Sequence, residues 1–307
     1  MIPNRQYLKS SGGLFYALDP PGIVDPLNST LVACIAGSGE YGNYAAADMA
    51  AEIDRVVNRN GFAQDIAAGI KLPFWVLSPL ATKAKDENMA DHGLIIREIS
   101  NVAKLHKKDY AFIGGLSLGA QSATGLLMQC RNSTQISKGE ESYYKNPYVW
   151  DGFFLISGKI PGTPQPCAMP DVPVIIFGNT GDLAVPIQNQ INTMNSLNSC
   201  ELRANKILPN KVKKSIGGVV TWPDVSIPED HLNRLIITLG GGHGTSWNLM
   251  YDWYAQSGPG FEFRQWLKRV AKEIYKPIQC SAILDEKNLT AEFTKPDGTV
   301  VRYNLIP

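Results

Sequence analysis

The 307 residues are 44% hydrophobic and carry a formal net charge of +1. That length fills one large α/β domain or two ordinary ones, and near-neutrality argues against the strongly basic surface of a nucleic-acid binder. No apolar run reaches the length of a membrane span, and the start, MIPNRQYLKSSGGLFYAL, has no apolar core of signal-peptide length. The five cysteines (Cys34, Cys130, Cys167, Cys200, Cys280) show no C-x-x-C spacing, so reduced core thiols are expected and a metal or disulfide framework is not.

LVACIA (31–36) reads as a buried strand running into Gly37, Gly39 and Gly42. AAADMAAEIDRVV (45–57) predicts a helix and FWVLSP (74–79) a second strand. From Asp91 to His106, the residues Leu94, Ile95, Ile99, Val102 and Leu105 recur at helical spacing. YAFIG (110–114) predicts a strand, followed by a helix over 118–130. GFFLIS (152–157), PVIIFG (173–178) and LIITLG (235–240) predict further strands. One helix starts near Pro186, and a late one lines up Phe263, Trp266, Leu267, Val270, Ala271 and Ile274 on one face. Strands alternating with helices imply parallel pairing and a sheet covered on both sides. The expected fold class is α/β, a doubly wound and mostly parallel sheet of about eight strands. Residues 201–231, with Lys206, Lys211, Lys213, Lys214 and Trp222, lack periodicity and read as an insertion or lid. Beyond a body spanning 1–276, the tail 277–307 has LTAEFT and VVRYNL flanking a turn at Asp297-Gly298. It predicts an appended β-hairpin packing on the body.

After the strand at 110–114 comes Gly115-Leu116-Ser117-Leu118-Gly119, a G-x-S-x-G sequence. A serine nucleophile must project from a sharp strand-to-helix turn, and side chains two residues away on either side would collide there. The following helix points its N-terminus at the site and favours developing negative charge. A serine needs a base, and there are four histidines. His92 and His106 sit near the ends of an amphipathic helix and are expected in solvent. His231 precedes its strand, whereas His243 follows it, in LGGGHGTSW. Catalytic groups of open α/β sheets gather beyond the carboxyl ends of strands, which selects His243. The same rule selects Asp182 in FGNTGDLAVP over Asp151 and Asp171, which precede their strands. Asp182 can also cap the helix that starts after Val185.

The glycines at 37, 39 and 42 spell G-x-G-x-x-G, a dinucleotide fingerprint. That reading needs a helix inside the motif and an acid after the next strand; the helix starts after Asn43 and no acid follows Ser78-Pro79. No nucleotide or other cofactor is expected. The stretch instead suits an oxyanion hole, with backbone N–H groups from Leu118 and Ser38, and Gly39 next.

In four places the chain resembles the esterase branch of α/β-hydrolases that includes feruloyl-esterase-like and polyhydroxybutyrate-depolymerase-like enzymes. Those carry L-H-G-x-G-E-R-G-N, G-L-S-M-G-G, G-x-x-D-x-x-V-P and G-H-x-S-W. Here stand IAGSGEYGN, GLSLGA, GNTGDLAVP and GHGTSWNLMYDW, in that order, with Ala36, Tyr41 and Ala120 as departures. The resemblance implies carboxylic-ester hydrolysis through an acyl-enzyme, without metal or nucleotide, on a small-molecule or polysaccharide ester. Trp222 and Trp247 are candidate substrate-contacting residues. Two alternatives stay open: a prolyl-oligopeptidase-like peptidase, and a structural or carbohydrate-binding assembly component docking through its C-terminal hairpin. The expected location is the cytoplasm or a larger particle such as a virion.

Overall fold

The computed structural model describes residues 2–59, 61–85, 88–106, 109–132, 149–158, 173–198, 215–216, 219–222, 234–238, 240–274, 282–285, 290–294 and 300–304. Its centre is a parallel sheet of β3 (Thr30–Ile35), β4 (Trp75–Pro79), β7 (Tyr110–Leu116), β8 (Gly152–Ile156), β9 (Val174–Asn179) and β12 (Arg234–Thr238), side by side in the order β4-β3-β7-β8-β9-β12. The order turns around beside β3: the chain first steps outward to β4 and then returns past β3 to β7. The expected fold class is the one found, but the sheet has ten strands among the described residues rather than about eight. An antiparallel pair, β1 (Gln6–Lys9) and β2 (Phe15–Asp19), extends it past β4, and a short antiparallel pair, β5 (Thr82–Lys83) and β6 (Ala90–Asp91), stands apart from it. At the other edge β10 (Ser215–Ile216) and β11 (Val219–Trp222) extend it past β12, so part of the 201–231 insertion is sheet. The rest of that insertion, and the Trp222 side chain, lie outside the described residues.

The strands are apolar on both faces because helices cover both. In β8, Phe153 and Leu155 face one helical layer and Phe154 and Ile156 the other, the period of two expected of a strand. The first layer holds α3 (Gly93–His106), α4 (Leu118–Asn132) and α5 (Ile187–Asn198), which bring Ile99, Val102, Ala123, Leu127 and Met194 to the core. The second holds α2 (Phe62–Ala67), α6 (Thr245–Tyr251) and α7 (Gly258–Ile274). There Phe62, Phe154, Phe177, Phe263 and Trp266 pack ring against ring. Each such buried side chain contributes about 1.5–3 kcal/mol relative to exposure.

Helix α1 (Met49–Val57) begins four residues later than its apolar pattern suggests, because Asn43 and Asp48 claim the intervening backbone. The Asn43 carboxamide accepts the Ala45 N–H, and the Asp48 carboxylate caps the Ala51 N–H, both at 3.0 Å. The N-terminal hairpin is pinned to α1 by Arg5. Its guanidinium grips both oxygens of buried Asp19 at 2.7 and 2.9 Å and reaches Asp54 at 2.8 Å. In the tail, β14 (Thr290–Thr294) and β15 (Val300–Asn304) pair antiparallel as the hairpin pattern predicts. A further strand, β13 (Ala282–Asp285), joins them into a separate three-stranded sheet. No helix among the described residues is long and apolar enough to cross a membrane.

Candidate active site

Ser117 follows β7 and precedes α4 with φ 52°, a left-handed backbone that a non-glycine residue rarely adopts. Its N–H is held by the Ile156 carbonyl of β8 at 2.9 Å. The neighbouring glycines are there for space. A Cβ on Gly119 would collide with the Ile35 carbonyl, and one on Gly115 would lie 2.7 Å from the Gly119 carbonyl carbon. The turn is thus packed against the end of β3.

His243 stands in the loop between β12 and α6, half-buried. Its Nε2 is 3.0 Å from Ser117 Oγ and its Nδ1 is 2.8 Å from Asp182 Oδ2. An ionised carboxylate only accepts, so Nδ1 carries the proton and Nε2 is left to accept from the serine hydroxyl. Asp182 is 3% exposed. Its second oxygen, Oδ1, accepts the N–H groups of Ala184 and Val185 at 2.9 and 2.8 Å. The histidine contact takes one oxygen and a tight turn takes the other; both N–H groups lie ahead of α5 (Ile187–Asn198), so Asp182 fixes the approach to that helix and does not cap it as expected.

The loop after β3 abuts this turn. The Gly37 N–H donates to the half-buried Glu40 carboxylate, whose pKa desolvation holds above the usual carboxylate range. A Cβ on Gly37 would lie 2.7 Å from Leu116 Cδ1. Ser38 follows, half-buried, with its carbonyl accepting from Ala90 at 2.8 Å, and Gly39 is exposed. Leu118 opens α4, so its N–H belongs to the first turn, whose donors have no partner within the helix. Trp247 sits edge-on to His243 with centroids 4.9 Å apart, and its indole N–H is buried without a partner among the described residues. That arrangement fits a ring packed beneath the histidine.

Two histidines depart from expectation. His92 is not in solvent: it is 5% exposed, with Nδ1 2.8 Å from Ser122 Oγ. His106 is half-buried, with Nε2 3.0 Å from the Tyr16 hydroxyl. Asp151 accepts the Ala111 N–H at 2.7 Å near the start of β8. His231 and Asp171 lie outside the described residues. Cys34 is a free thiol whose pKa burial pushes up. Among the described residues no group of His, Cys, Asp or Glu is placed to hold a metal ion. Sequence reasoning missed Ser157, which follows β8 with φ 46° and has a buried hydroxyl without a partner among the described residues. It also missed Asn179 and Thr180, although both lie inside the GNTGD motif.

No protein-family model matches the chain, and no curated protein matches it in sequence. Its fold is similar to solved structures. A thermostable esterase aligns over 86% of the chain at 18% identity and TM-score 0.52; the chain spans 63% of that protein's length. An acetyl xylan esterase from Aspergillus awamori aligns over 86% of this chain and 99% of its own, at 12% identity and TM-score 0.53. A thermophilic esterase of Thermogutta terrifontis with butyrate bound aligns over 89% and 95%, at 12% identity and TM-score 0.50. Identities this low bear on the fold alone, which is that of the α/β-hydrolases.

Proposed function

We propose that this chain is a serine-dependent carboxylic-ester hydrolase working through an acyl-enzyme. The observation that carries the reading is the continuous relay from Ser117 Oγ through His243 to Asp182, at 3.0 and 2.8 Å, built on the carboxyl ends of β7, β12 and β9. Ser117 Oγ attacks the ester carbonyl as His243 Nε2 takes its proton. Asp182 holds the ring in the required tautomer and stabilises the imidazolium that forms. The developing oxyanion is met by the Leu118 and Ser38 N–H groups, with Gly39 adjacent. The imidazolium then protonates the departing alcohol, and water activated by the same nitrogen releases the acid. These steps need no metal or cofactor.

For the substrate, we propose an acyl or aryl ester of a carbohydrate. The acetyl xylan esterase among the similar folds supports this class. The test is a panel of p-nitrophenyl esters of rising acyl length, with acetylated xylan and a feruloylated sugar, assayed on wild type and Ser117→Ala. Ester turnover that falls by about 10⁴–10⁶-fold in the variant is expected. Cleavage of a proline-linked p-nitroanilide with no ester turnover would instead make the protein a peptidase. Near-normal ester turnover in Ser117→Ala would remove the serine mechanism.

A further inference from the structure

We propose that Asn179 and Thr180 form a clasp that holds the histidine loop against the acid loop, making Asn179 a positioning residue for His243. The inference rests on the serine-hydrolase reading above. Asn179 ends β9 and is fully buried. Its Nδ2 donates to the Gly242 carbonyl at 2.7 Å, and its Oδ1 accepts the Gly181 N–H at 3.0 Å. A carbonyl only accepts and an N–H only donates, so these partners leave the carboxamide one orientation. Gly242 is the residue before His243, and Gly181 is the residue before Asp182. A single side chain therefore ties together the two backbones that carry the base and the acid.

Thr180 adds a second tie. Its N–H donates to the Thr238 carbonyl at 3.0 Å and its Oγ1 accepts the Gly240 N–H at 2.8 Å. Between these ties the loops touch directly, for a Cβ on Gly181 would collide with the Gly241 carbonyl oxygen. The histidine loop needs such anchoring. Gly240 and Gly241 hold φ 72° and 80°, and a run of glycines has more backbone freedom to lose than any other sequence. The Asp182 contact orients the imidazole ring; the backbone beneath it is tied forward to Thr245, through the Gly242 N–H and carbonyl at 3.0 Å each, and across to the acid loop by Asn179 and Thr180.

The test is kinetic, on the full chain with p-nitrophenyl acetate. Asn179→Leu keeps the approximate size and removes both hydrogen bonds. It is expected to lower kcat by roughly 10²-fold, the scale of a small misplacement of a catalytic group, with KM little changed. Thr180→Val, at an exposed position, is expected to lower kcat by about fivefold, the scale of one hydrogen bond. The discriminating measurement repeats Asn179→Leu in an Asp182→Asn background. A residue that aligns the base with the acid loses most of its effect once the acid is gone, whereas a merely structural residue costs the same factor in both backgrounds. Equal losses in the two backgrounds, or wild-type kcat in a folded Asn179→Leu protein, would overturn the clasp. Should Asn179→Leu not fold, wild-type kcat in Thr180→Val overturns it. Activity surviving in Ser117→Ala is a separate failure, of the underlying site, and takes the clasp with it.

Discussion

Substituting His92 tests the energetics of the helix that carries the candidate nucleophile. The Ser122 hydroxyl donates to the Leu118 carbonyl at 3.1 Å, so it accepts from His92 Nδ1. That leaves Nε2 bare, buried and without a partner among the described residues. Protonation would place an N–H where nothing accepts it. Burial accordingly lowers the His92 pKa from 6.5 to about 4, with nearby Asp91 opposing the change. The folded pKa lies below the unfolded one, so the contribution to stability is present above pH 6.5 and is lost as pH falls toward 4. The whole span is worth about 3 kcal/mol, of which about 2 kcal/mol is lost by about pH 5. His92→Asn keeps a donor for Ser122 but does not titrate. Urea unfolding of both proteins at about pH 8 and about pH 5 should show wild type losing about 2 kcal/mol more than the variant. Parallel losses would refute the reasoning, because they would mean that His92 takes up its proton equally in both states.

Asp65 should behave with the opposite sign. Burial, then the charge of Asp252, raises its pKa to about 6, so Asp65→Asn should stabilise the protein by about 2 kcal/mol above that pH and confer no such gain below about pH 4, as urea titrations can check. His243→Ala should cost nearly as much turnover as Ser117→Ala, and Asp182→Asn somewhat less; a His243→Ala enzyme within about tenfold of wild type would break the relay. Gly119→Ala should destabilise by about 1–3 kcal/mol, because its Cβ meets the backbone carbonyl of Ile35, and an unchanged urea midpoint would contradict that packing. Trp222→Ala should raise KM for a bulky glycan or aryl ester by roughly 10–200-fold and spare p-nitrophenyl acetate; an unchanged ratio of the two specificity constants would exclude Trp222 from substrate contact.

The meeting of Ser117, Asp182 and His243 was legible because each lies in a short motif just past an apolar strand. Strand direction alone sends all of them to one edge of a parallel sheet. The turn at Ser117 was legible for a local reason too, since its glycines answer to atoms a few residues away. His92 was misread because helical periodicity reports how a residue sits on its own helix. It cannot show that the first turn will be covered by Ser122 of a neighbouring helix. The same blindness hid the N-terminal hairpin, whose order depends on Arg5 finding Asp19 and Asp54 at separations of 14 and 49 residues.

The sequence by itself determined the fold class, the two-sided burial of strands such as Phe153–Ile156, and the side of the sheet on which the candidate site lies. All three follow from periodicity and chain direction, which are properties of consecutive residues. Only the tertiary structure decided which polar side chains hold the site in register. Asn179 reads as an ordinary loop asparagine until the chain folds away its separation of 63 positions from Gly242 and its Nδ2 lies 2.7 Å from that carbonyl. A hydrogen bond forms only over such distances, and no local pattern in the chain records which distant backbone group will come within reach.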